Sequence, residues 1–224
     1  MEMNLIHKFV LLAIDQQKGK FLIDTLSLNY GIAGAILIEL SEKEIIKIEN
    51  KRVILAETKL TKSKIIDASV KLIQSAKTNR KIKYWINKIG NKSTVLKKLV
   101  LNDLSNDGMI RIEEKTFFFG WIKTYKYVLI KSKVAEELRI NLRKIVLEGE
   151  KSDVESVLLL SLMNSCKLTR TLFKNKKENK LANKRIKELT KDIEVSNSVS
   201  QALSEIQSAV LVATTSAFIG SAST

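Results

Sequence analysis

The sequence predicts a mainly α fold, a single compact multi-helical globular domain with a small β-hairpin, and three observations carry that expectation. Apolar residues recur at helical spacing over most of the 224 residues. With 8 Gly and no Pro, nothing breaks long helices and no spacer divides the chain, so residues 1–224 read as one domain. Strand-like runs are short and confined to two places.

The first apolar run is Phe9 to Ile14, six residues followed at once by polar ones, which is too short for a secretory signal. Leu26 to Leu40 mixes small residues (Gly31, Ala33, Gly34, Ala35) with Ile32, Ile36, Leu37 and Ile38, as suits a central helix approached closely by its neighbours. Isoleucines and Val53 between Glu44 and Leu55 predict two short strands around a turn at Asn50-Lys51. A helix then puts Ile66, Val70 and Ile73 on one face. In the next helix Ile82, Trp85, Ile86 and Ile89 fall at i, i+3, i+4 and i+7, leaving Arg80, Lys81, Lys83 and Lys88 for the other face. Ser93 is a suitable cap for a third helix that buries Leu96, Leu99, Val100 and Leu104. Its outward face would then carry Thr94, Lys97, Lys98 and Leu101.

After Gly108, Met109–Ile112 and Thr116–Phe119 read as a hairpin, with Tyr125–Ile130 as a third strand. Ser132 and Gly149 bracket another helix. Ser152-Asp153-Val154-Glu155 has the spacing of a capping box that opens an apolar helix to Cys166. Helical patterns also cover residues 182–190 and 198–219. Residues 206–224 carry no charge for 19 positions, but their Ser and Thr content suits a buried helix better than a membrane anchor.

The formal net charge of +15 is concentrated in two blocks. Residues 43–98 hold 16 Lys/Arg against 4 acids, and residues 167–191 hold 10 against 2. From Ala68 to Asn102 there are nine basic groups and no acid at all. A surface so one-sided attracts phosphate-bearing partners, either an anionic lipid leaflet or a nucleic-acid backbone, although a charge run can also be only a solvated face.

Several function classes find no support. A lone Cys166 makes an intramolecular disulfide impossible, and one His with one Cys cannot build the usual zinc clusters. Cys166 and His7 both sit in apolar runs and read as core, not as a nucleophile and its base. Nucleotide-binding loops and nucleophile elbows are absent, so no catalytic residue, metal ligand or cofactor is assigned.

Leu11 to Phe21 reads LLAIDQQKGKF and Tyr30 to Leu40 reads YGIAGAILIEL. Together with Ile65-Ile66-Asp67-Ala68, Tyr84-Trp85-Ile86, the stretch Leu99 to Ile110 through Gly108, and Ala182 to Leu189, these segments resemble the Golgi phosphoprotein 3 family in order along nearly the whole chain. The chain is also similar to a smaller prokaryotic branch of that family. The resemblance implies a non-catalytic peripheral membrane adaptor that recognises phosphatidylinositol-4-phosphate and, in eukaryotes, retains Golgi glycosyltransferases. It also implies a cytoplasmic location, on the cytosolic face of the Golgi where there is one.

The family's head-group pocket uses an aromatic residue, an Arg, and two Arg three apart on a basic helix. Aligned without gaps these positions are Asp24, Ala33, Thr94 and Lys97, so only one charge survives. Leu60-Thr61-Lys62-Ser63 stands where the family has Pro-Thr-Gly-Asp. Arg offers a bidentate fork that Lys does not, so the expected site, Lys97 and Lys98 with Thr94, Arg80 and Lys81, would bind anionic lipid by charge with little stereospecificity. The aromatics Phe117, Phe118, Phe119 and Trp121 would form an apolar hairpin used in the membrane, in self-association, or as ordinary core. Two rival readings remain: a winged-helix-like nucleic-acid binder built on the helices at 80–106, and a cytosolic adaptor for an acidic protein.

Overall fold

A computed structural model describes residues 3–57, 61, 63–91, 93–117, 121–193, 195, 199–206 and 208, without the side chains of Ser93, Thr94 and Phe117. The chain starts with α1 (Leu5–Leu12), whose every residue except Lys8 is buried. Asn4 caps it by accepting from the His7 amide at 3.1 Å. Next comes α2 (Thr25–Glu42), capped by Asp24, which accepts from the Ser27 amide at 2.9 Å. Both helices are apolar nearly all round, as expected of interior helices. They cross closely because Gly31 leaves room for Phe9: a Cβ there would lie 2.1 Å from the Phe9 ring.

The turn at Asn50-Lys51 joins β1 (Ile46–Glu49) to β2 (Arg52–Leu55) in an antiparallel pair. Asn50 and Lys51 have φ of 50° and 60°, the doubly left-handed turn that matches strand twist. Then follow α3 (Lys64–Gln74), α4 (Ile82–Asn91) and α5 (Ser93–Asn106). As expected, α3 buries Ile66, Val70 and Ile73, and α4 buries Ile82, Trp85, Ile86 and Ile89. Arg80 and Lys81, however, precede α4, and Lys88 is half-buried.

At the end of α5 the Gly108 amide donates to Ser105 O at 3.0 Å and the Met109 amide to Leu104 O at 2.9 Å, with Gly108 at φ 66°. This pair of bonds closes the helix through a left-handed residue that glycine adopts without strain.

The second β element departs from expectation. It is one hairpin of two long strands, β3 (Ile110–Phe117) and β4 (Ile122–Leu129), in register from Ile110↔Leu129 to Phe117↔Ile122. The expected break at Glu113-Glu114-Lys115 is mid-strand, because both faces of this outer segment meet solvent and a charged strand is tolerated there. Lys123 bridges to Glu114 across the ladder at 2.8 Å. Among the described residues the hairpin packs on the body at its base, through buried Ile110 and half-buried Ile112, Tyr127 and Leu129.

The chain returns to helix with α6 (Ser132–Leu147), α7 (Val154–Ser165), the short α8 (Thr169–Leu172) and α9 (Lys176–Asp192), then a helical stretch at 199–206. The cap of α7 is Asp153 rather than Ser152, accepting from Ser156 at 2.6 Å. Glu155 is drawn instead to Lys8. The start of α9 lies earlier than its apolar pattern suggested because Asn175 caps it, accepting from the Lys177 amide at 2.8 Å. Residues 209–224 lie outside the described residues. The core is one contiguous cluster running from α1, α2 and α7 out to Ile186 on α9 and Ile206. Among the described residues no helix is long and apolar enough to cross a membrane.

Candidate functional site

The expected lipid-facing residues come from different elements. Arg80 and Lys81 join the small sheet: the Val53 amide donates to Arg80 O and the Ile82 amide to Lys51 O, both at 2.9 Å. Arg80 lies over the Tyr84 ring at 5.6 Å. Lys97 and Lys98 lie instead on α5, which packs against β3.

The base of the β3–β4 hairpin is assembled by the turn at 15–20. Asp15 accepts from the amides of Gln17 and Lys18 at 2.8 Å, which holds its carboxyl below the usual range. The Gly19 amide donates to Asp15 O at 2.9 Å. Gly19 has φ 63°, and its carbonyl accepts from the Tyr127 amide at 2.8 Å. A Cβ on Gly19 would lie 2.6 Å from Lys126 Cγ, so both backbone conformation and close approach require glycine. This docking sets Phe21 against Tyr127 with ring centroids 4.9 Å apart, and Lys97 Nζ lies 5.8 Å from the Phe21 centroid.

Two sequence expectations are corrected here. Lys97 is half-buried rather than fully outward, and burial lowers its ammonium pKa. Leu101 is buried at 4% exposure. The exposed row of α5 is Val95, Lys98, Asn102 and Asn106, because the hairpin and the 15–20 turn cover a side of the helix that periodicity alone left open. Leu99, expected in the core, is only partly buried.

Lys18 and Lys20 flank Gly19 and Lys126 lies against it, all three exposed. Lys98 is exposed too, and on β3 the hydrogen bond from Lys123, with a smaller influence of Lys98, lowers the pKa of Glu114. Sequence reasoning missed Phe21, Lys20, Lys126 and Tyr127. The Asp15-to-Gly19 turn was a readable signal, but its pairing with residue 127 was not.

Of the positions aligned with a phosphoinositide pocket, Asp24 is used as the α2 cap and Ala33 is fully buried. The Thr94 side chain lies outside the described residues, as do Phe118, Phe119 and the Phe117 side chain. Trp121 is 90% exposed, and Ile122 and Tyr125 beside it are also exposed.

A cleft of about 590 Å³ between the 14–17 turn, α6 and α9 mixes three acids with three bases, and Arg143 is already forked onto Glu178 at 3.1 and 3.3 Å. Glu39 is 3% exposed and accepts from the Ile6 amide and Asn4 Nδ2, each at 2.9 Å; burial pushes its pKa up to about 7. Cys166 is buried and its thiol pKa is pushed far up, and His7 is buried with its pKa lowered. Among the described residues no His, Cys, Asp and Glu cluster could hold a metal ion.

A search of curated proteins finds no match to this chain. A family model, that of Golgi phosphoprotein 3, matches residues 5–206. That span takes in α1, the 15–20 turn, the hairpin and α9, and the chain belongs to the Golgi phosphoprotein 3 family.

Proposed function

We propose that this protein is a non-catalytic peripheral membrane adaptor that binds anionic lipid head groups at the hairpin base. It works in the cytoplasm, on the cytosolic face of the Golgi where the cell has one. The observation that carries the reading is the cluster of exposed Lys18, Lys20 and Lys126 where the 15–20 turn docks on a projecting hairpin whose Trp121 is almost wholly in solvent. Each lysine near an anionic leaflet contributes about 1 kcal/mol, so four or five supply roughly 4–5 kcal/mol before salt screening. Apolar contact by Trp121 and Ile122 then slows release.

Lysines act as point charges, so binding follows vesicle charge rather than head-group stereochemistry. Family membership supports an adaptor role. The burial of Cys166 and His7 argues against thiol chemistry at this pair, since a thiol held protonated is a poor nucleophile.

The test is co-sedimentation with neutral, phosphatidylserine-containing and phosphatidylinositol-4-phosphate-containing vesicles at matched charge, beside a duplex-DNA titration. Binding should track total charge and fade as salt rises. A strong preference for the phosphoinositide at matched charge would overturn the weak selectivity, and binding to duplex DNA alone would overturn the membrane reading.

A further inference from the structure

The second basic block plays no part in the hairpin site. Its residues form α9, which buries Ala182 and Ile186 against the body and turns its opposite side to solvent. At about 100° per residue, Lys176, Lys177, Lys180, Lys184, Lys187 and Lys191 fall within one sector roughly 100° wide, and no other residue of the helix falls in it. All six are exposed. From first to last they span about 22 Å along the helix axis.

The acids of α9 lie outside the sector. Glu178 is engaged by Arg143, and Glu188, at the edge, lies 3.6 Å from Arg185 and 3.9 Å from Lys184. Among the described residues Lys184 alone of the six has a carboxylate within 4 Å. Lysines three and four apart repel one another along the row, which weakens an isolated helix. An anionic surface laid against the row would remove that repulsion.

The form of the row selects the partner. A convex helix face with all its charge on one side fits a plane better than a groove. The sector offers no Arg, Asn or Gln to read base edges and no aromatic ring on which a base could stack. Four to eight lysines on one face of a helix is the pattern read by acidic phospholipid leaflets.

We propose that the lysine sector of α9 is a second membrane contact, lying parallel to a bilayer rich in acidic phospholipid. It rests on the reading of this protein as an anionic-membrane binder, but on different residues.

The experiment uses the full chain with phosphatidylcholine vesicles with and without phosphatidylserine, and separately with duplex DNA, across a salt series. The variants are Lys180→Glu/Lys184→Glu/Lys187→Glu on α9, the matching triple Lys→Gln variant, and Lys98→Glu at the hairpin base. Circular dichroism and a thermal melt show which are folded, and the Gln variant serves if the Glu variant is not. The α9 variants should bind charged vesicles about tenfold more weakly or worse, with a shallower salt dependence. Unchanged vesicle binding by α9 variants, with release by Lys98→Glu, overturns the α9 contact and leaves the hairpin site standing. Release by the α9 variants alone supports α9 and removes the hairpin site. If wild type ignores charged vesicles, both fall. If the α9 variants lose only duplex-DNA binding, the partner is nucleic acid and the proposal is overturned.

Discussion

The two tryptophans of this chain mark two regions built on opposite principles. Trp85 is 2% exposed on α4, edge-on to Tyr84, with Ile82, Ile86 and Ile89 buried along the same face. Trp121 is 90% exposed just before β4, whose outer half is exposed on both faces. In the first region apolar burial makes the fold, and a small change in volume is felt. In the second, cross-strand hydrogen bonds and ion pairs hold the ladder, and the apolar side chain contributes almost nothing to folding. An exposed large aromatic beside lysines is therefore the informative one, because burial already explains the other.

The comparison is sharpest under truncation. Trp85→Ala should cost about 3–5 kcal/mol in a urea melt, the range for emptying a large core site. A loss under about 1 kcal/mol would mean that α4 is not packed as described.

A smaller effect is expected at the joint of α1 and α2. Burial raises the pKa of Glu39 from its ordinary 4.5 to about 7, so the folded state holds its proton more tightly than the unfolded chain. Its stabilisation is complete below about 4.5 and is lost as pH rises through about 7, by up to about 3 kcal/mol. Glu39→Gln should flatten stability over that window, and a slope that persists in the variant would assign it to other groups.

Next comes Gly31→Ala, expected to cost about 2 kcal/mol because the new methyl meets the rigid Phe9 ring at 2.1 Å. Gly34→Ala should cost less, since its methyl meets the flexible Ile206 side chain at 2.6 and 2.8 Å and the end of Leu162 at 3.1 Å, both of which can rotate. Equal losses at the two sites would show that the ring contact does not set the cost, and a gain at both would show that the higher helix propensity of Ala outweighs it.

The smallest stability change belongs to the hairpin. Trp121→Ser should alter folding stability by less than about 0.5 kcal/mol while lowering retention on anionic vesicles. With Trp85→Phe as background, Trp121 is the remaining tryptophan, and its emission should shift to the blue when such vesicles are added. A Trp121→Ser variant that loses several kcal/mol of stability and keeps its vesicle binding would place the hairpin among the packed elements.

By itself the sequence determined the local elements. The 3.6-residue period placed α3 and α4, the small-residue pattern placed α2, and Asn50-Lys51 marked the first turn, because each rests on interactions within a few residues of chain. It also placed both basic blocks, since charge is a property of composition. Tertiary structure alone decided which lysines stand together. Lys97 is half-buried because Phe21, 76 positions away in sequence, is held beside it by a turn that docks on Tyr127. Leu101 is buried although its neighbour Lys98 is exposed. The long hairpin likewise escaped local reading, because a strand that leaves the body meets water on both faces and loses the alternation by which strands are recognised. Local free energies select the elements; contacts between residues distant in sequence select the surface.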